Sequence, residues 1–96
     1  MSAYFVGLID IHAPEAYDKY LEGFDEIFAR FEGQVVAVED SPRVLEGTWP
    51  AGRTVLIRFP SEEHLRRWYE SREYQAIAEH RRRGSHAAIA IVTGRD

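Results

Sequence analysis

Cysteine is absent from this chain of 96 residues. Its absence excludes disulfide staples, thiolate nucleophiles and every zinc site built on cysteine, and it makes the cytoplasm the expected location. Long apolar runs are missing too. Nothing approaches the roughly 18 residues that a membrane-spanning helix requires, so no membrane partner is expected. Met1 to Ile11 lacks the basic opening and small-residue cleavage site of a secretory leader. Phosphate-cradling glycine motifs of the P-loop and Gly-x-Gly-x-x-Gly kinds do not occur, nor does the Gly-x-Ser-x-Gly elbow of a serine nucleophile. Neither a metal centre nor a cofactor is expected. Positive charge is also in short supply. Twelve basic against sixteen acidic side chains leave a net charge of −4, which argues against a dedicated nucleic-acid binder.

What is present is ordinary globular material, 45% hydrophobic and 29% charged, and enough for a single domain spanning 1–96. No repeat, linker or low-complexity stretch divides it. The charge is uneven. Residues 1–60 carry five basic and ten acidic side chains (5 − 10 = −5), and residues 61–96 carry seven and six (7 − 6 = +1). Much of the later positive charge is the run Arg81-Arg82-Arg83. That run has two readings: an anion or phosphate site, or basic residues complementing the C-terminal dipole of a helix that stops at Gly84.

The hydrophobic pattern sets out the elements. Residues 3–11 (AYFVGLIDI) are a short apolar run of strand formers. Pro14 suits a first helical turn. Tyr17, Tyr20, Leu21, Phe24, Ile27, Phe28 and Phe31 then recur at intervals of three and four, the stripe of an amphipathic helix, with Gly33 as its left-handed stop. Gln34 to Glu39 reads as a second strand. It turns or bulges at Asp40-Ser41-Pro42 and resumes over Arg43–Glu46. A loop, residues 47–52, leads to a third strand from Arg53 to Phe59. Ser61 is a suitable N-cap, followed by the acidic pair Glu62 and Glu63. The stripe of Leu65, Trp68 and Tyr69 slips before Tyr74, Ile77 and Ala78, and Ser71 at the slip can cap a new helical segment from Arg72 to about Arg82. A fourth strand runs from Ser85 to Thr93.

The order β-α-β-β-α-β is the split βαβ pattern of the ferredoxin-like α+β fold. It predicts an antiparallel four-stranded sheet of order 4-1-3-2 with helices on one face. Strands one, three and four are apolar on both sides, so the second face also needs cover. A second copy of the same sheet supplies it, and a homodimer is expected.

This topology gathers distant side chains at one end of the sheet. Asp10 and His12 end the first strand, Glu46 and Arg53 flank the loop carrying Trp49, His86 starts the fourth strand, and Tyr74 is expected nearby. Acid–base groups, a fixed cation and aromatic walls are the ingredients of a small-molecule site. Glu46 and His12 are the candidates for moving a proton; Asp10, Trp49, Arg53, Tyr74 and His86 are the candidates for binding. Plainer readings stand beside these. Glu46 and Arg53 can form a cross-strand ion pair, His12 and His86 can be surface residues, and Trp49 can be a lid or an anchor into a partner subunit.

Several segments together resemble one family: Pro14-Glu-Ala-Tyr17-x-x-Tyr20, Leu45-Glu46-Gly47-x-Trp49, Gly52-Arg53-x-Val55, Phe59-Pro60-Ser61, and Trp68-Tyr69-x-Ser71-x-x-Tyr74-Gln75. This is the domain-of-unknown-function family thirteen-thirty, within the dimeric α+β barrel superfamily. The resemblance implies a ferredoxin-like protomer packed sheet to sheet with its partner. It implies no reaction, although the superfamily includes cofactor-free monooxygenases, haem-binding enzymes and muconolactone isomerases. One departure stands out: Ala13 occupies the place before the helix-opening proline where the family often has an acid. Two functions remain open, a small enzyme or binder for an anionic or aromatic metabolite near Glu46 and Arg53, and a non-catalytic dimeric domain in which the same residues form the rim.

Overall fold

Residues 1–96 are described by a computed structural model. Strand β1 (Ala3–Ile11) leads through Ala13 into helix α1 (Pro14–Phe28), then β2 (Gln34–Glu39) and β3 (Arg53–Phe59). Helices α2 (Glu62–Tyr69) and α3 (Arg72–Gly84) follow, and β4 (Ser85–Thr93) closes the chain's order. The four strands are antiparallel in the order β2-β3-β1-β4, the expected ferredoxin-like sheet.

Alternation sorts the strand residues between two faces. Phe5, Ile9, Ile57 and Phe59 point toward the helices and are buried. Tyr4, Val6 and Leu8 point the other way, in register with Arg58, Leu56 and Thr54 on β3 and with Val92, Ala90 and Ala88 on β4. No helix covers that second, largely apolar face. The core centres on Trp68, which is fully buried, with ring centroids of Tyr74, Phe5 and Phe59 at 4.2, 5.4 and 5.4 Å.

The break between α2 and α3 falls where the stripe slips. Ser71 caps α3 by accepting from the Tyr74 backbone N–H, while its own hydroxyl donates to the Trp68 carbonyl. Ser61 caps α2 by accepting from the His64 backbone N–H. Ala13 makes no side-chain cap for α1, as its chemistry dictates.

Three expectations are corrected. Helix α1 stops at Phe28, not Gly33, and the only positive φ in the chain belongs to Gly47. Gly33 serves close packing instead, since a Cβ there would sit 2.6 Å from the rings of Phe28 and Phe59. Residues 43–46 form no strand: once past Glu39 the chain leaves the sheet, and Val44 and Leu45 are exposed. The register shift in β2 lies between Val35 and Ala37, ahead of Asp40–Pro42.

Candidate functional site

Helix α1 packs closely along α3, because Gly23 and Gly84 present no side chain at the crossing. A Cβ on Gly84 would come within 2.8 Å of the Ala13 carbonyl and the Tyr17 backbone N–H. Drawn toward α3, α1 stands off from β2, whose residues remain largely exposed. A cavity of about 180 Å³ fills the space. Its walls are Tyr17, Tyr20, Leu21, Phe24 and Asp25 from α1, Phe5 and Ile9 from β1, Val35 and Val38 from β2, and Arg53, Val55 and Ile57 from β3. Leu21, Val35 and Val38 are each more than 40% exposed, at 42, 41 and 45%, so apolar surface is left wet along this opening.

Arg53 is the cation among these apolar walls. Its Nη1 donates to Asp40 Oδ1 at 2.6 Å, its guanidinium stands 5.7 Å from the Tyr17 ring centroid, and its Nε is buried without a partner. Burial works against the Arg53 charge, but Asp40 and Tyr17 outweigh it and the pKa is raised. Burial likewise pushes the Tyr17 hydroxyl above its ordinary range, with Arg53 pulling partway back. Behind Tyr17 stands Tyr20, their ring centroids 5.5 Å apart, and the Tyr20 hydroxyl shares a 2.9 Å hydrogen bond with that of Tyr74. Burial raises both of those hydroxyls as well. The arrangement can hold a carboxylate at Arg53 and an apolar body against α1 and β2, with Tyr17 as a neutral hydroxyl beside them.

The residues singled out in the sequence divide between four places. Arg53 lines the cavity. Glu46 is exposed in the loop and pairs with nothing; Arg53 is held by Asp40, so no Glu46–Arg53 ion pair forms. Tyr74 is fully buried against Trp68, outside the cavity lining. Asp10, His86 and Trp49 gather at the uncovered face. Asp10 is in register with His86 and accepts from the Gly52 backbone N–H at 3.1 Å. The His12 and His86 rings lie 4.7 Å apart. Trp49 Nε1 donates to Thr54 Oγ1 at 3.0 Å, and Thr54 opposes Leu8 on that face.

Tyr17, Tyr20 and Asp40 were not among the candidates. The two tyrosines belong to the amphipathic stripe, and nothing in periodicity separates a cavity wall from a core residue. Asp40 was legible in principle: with Glu39 opposite Thr54, the next step along the hairpin brings Asp40 to Arg53.

The sheet order and one-sided helices define a protein of the ferredoxin-like α+β fold. The chain belongs to the family described as "Domain of unknown function (DUF1330)", whose model matches residues 2–95. Solved structures share the fold. RPA0582 of Rhodopseudomonas palustris, a protein of unknown function, is 16% identical with a TM-score of 0.75, over 99% of this chain and 83% of that one. SnoaB of Streptomyces nogalater, a cofactor-independent oxygenase, is 21% identical with a TM-score of 0.67, over 99% and 94%. A putative antibiotic biosynthesis monooxygenase of Bacteroides thetaiotaomicron is 18% identical with a TM-score of 0.61, over 99% and 90%. A search of curated proteins finds no match.

Proposed function

We propose that the protein binds a small carboxylic acid with a compact apolar or aromatic body in the α1–β2 cavity, with Arg53 taking the carboxylate. The observation that carries this reading is the buried, unpartnered Arg53 Nε in a lining otherwise almost wholly apolar. A guanidinium offers a planar fork of donors suited to a carboxylate, and Asp40, largely exposed, is free to yield its place. Size limits the ligand. At about 180 Å³ the cavity falls below the roughly 300–1,000 Å³ of sites for drug-sized molecules. Tyr17, kept protonated by burial, is placed to donate a hydrogen bond or a proton. SnoaB, a cofactor-independent oxygenase of the same fold, lends support at the level of fold alone.

A second reading concerns Trp49, Asp10, His12 and His86. Their position at the uncovered sheet face favours a rim around a homodimer interface rather than walls of this cavity.

The test of the binding site is a thermal-shift titration with phenylacetate and its uncharged amide on wild type and Arg53→Met. The acid is expected to raise Tm and the amide to do so weakly, with the acid's affinity falling roughly tenfold to a hundredfold in Arg53→Met, the worth of a charge-assisted hydrogen bond. Equal responses to acid and amide, or an unchanged response in Arg53→Met, would overturn the reading.

A further inference from the structure

The first helix–sheet cavity leaves a second arginine unused. Arg81 is only 4% exposed, and its Nε is buried with no hydrogen-bond partner. Arg81 also takes part in no ion pair, unlike its neighbour Arg82, which Glu79 and Gln75 hold at 2.7 Å each. Around the Arg81 guanidinium stand tyrosines: Tyr20, whose ring centroid is 5.9 Å away, with Tyr69 and Tyr74 close enough to act on its charge. Burial keeps the Tyr20 and Tyr74 hydroxyls protonated, so neither supplies an anion to Arg81. Buried charges are ordinarily paired, and no carboxylate is paired with this one.

Space for that anion exists. Arg81 and Arg82 line an open cleft of about 440 Å³ with Tyr69, Ser85, His86, Ala87 and Ile89, at the edge formed by α3 and β4. At Tyr69 and Ile89 this polar cleft meets a second one of about 200 Å³, running on between α2 and β4 past Leu65 and Ile91 and almost wholly apolar. The sequence run Arg81-Arg82-Arg83 thus splits: one member is buried without an ion-pair partner, its Nε unpaired, at the head of an apolar groove.

From this geometry we infer that the α2/α3–β4 groove is a second binding site, for an amphipathic carboxylate such as a medium-chain fatty acid. The carboxylate meets Arg81, and the tail lies over Tyr69 and Ile89 toward Leu65 and Ile91. The groove is separate from the α1–β2 cavity, although Phe5 borders both and Tyr20, a wall of that cavity, also stands beside Arg81.

Octanoate, octanamide and inorganic phosphate, each titrated into isotopically labelled protein and followed by NMR, test this. Octanoate is expected to move the backbone amides of Tyr69, Ile89 and Ile91 together with the Arg81 side-chain Nε–H. Octanamide should bind roughly tenfold or more weakly, having lost the charge-assisted contact, and phosphate should leave the Leu65–Ile91 stretch still. Arg81→Met should lose the octanoate shifts at Tyr69, Ile89 and Ile91, and Arg53→Met should keep them. The series on wild type decides the matter even if Arg81→Met fails to fold. Equal binding of octanamide, equal effects of phosphate, shifts confined to Tyr17 and Val55, or no shifts at millimolar octanoate would each overturn the inference.

Discussion

Tyr20 and Tyr74 spend their hydroxyls on each other, 2.9 Å apart in the core, and burial raises both pKa values above the ordinary 10.0. The sign of the consequence follows from proton counting. Above pH 10 the unfolded chain releases these protons while the folded one retains them, so the unfolded state binds fewer protons and stability falls as pH rises. Below pH 10 the contribution is fully present. Tyr20→Phe removes one of the two hydroxyls and takes this partner from the buried Tyr74 hydroxyl, at a cost of about 1–3 kcal/mol near neutrality. Urea midpoints at neutral pH and above pH 10 check both points: Tyr20→Phe should be weaker than wild type at neutrality and lose less on going alkaline. A larger alkaline loss in the variant would refute the account. Leu21 shows the opposite case, an apolar stripe residue left 42% exposed because α1 does not reach β2. Truncating it removes cavity wall more than core.

Among the elements, α3 depends most on single residues at its ends. Ser71 satisfies the Tyr74 N–H and the Trp68 carbonyl at once, which lets α2 stop and α3 start without leaving buried backbone groups unpaired. At the other end Gly84 receives the Ala13 N–H at 3.1 Å and the His12 N–H at 2.9 Å on its carbonyl. Any side chain there would press into the start of α1. Ser71→Ala is expected to cost about 0.5–2 kcal/mol, the usual loss of an N-cap. Gly84→Ala should cost about 1–3 kcal/mol by overpacking, despite alanine's better helix propensity. Denaturant unfolding ranks them, and a neutral or stabilising Gly84→Ala would show that α1 and α3 can slide apart.

For the whole molecule, the uncovered face is where association is expected. Val6 and Leu56 sit in register at its middle, with Leu8, Ala88, Ala90 and Val92 around them. Apolar surface of that extent is ordinarily covered by a partner. Light scattering at micromolar concentration is expected to give about twice the 11.1 kDa chain mass. Leu56→Asp, which puts a charge at the centre of that face while leaving the helix side untouched, should give a folded monomer. A wild type that stays monomeric and soluble would remove the dimer and the rim assigned to Trp49 and His86.

Strand and helix identity followed from the sequence because each depends on neighbours within a few residues. The 3.6-residue stripe of α1, the caps Ser61 and Ser71 and the alternation in β1 required no knowledge of distant contacts. The strand order then followed from connectivity rules, and the membership in a family of undefined function from motifs spread along the chain. Tertiary structure alone decided how side chains were shared out. Arg53 and Glu46 are neighbours across a loop in sequence, yet Asp40 takes the guanidinium because the hairpin register carries β2 past it. Tyr74 points into the core and Trp49 onto the open face. Arg81, one of three consecutive arginines, is buried while Arg82 stays at the surface, since residues adjacent on a helix point about 100° apart and only one meets the tyrosines. Local pattern specifies a face; which face meets a cavity depends on where α1 is drawn by α3, and no short stretch of sequence records that.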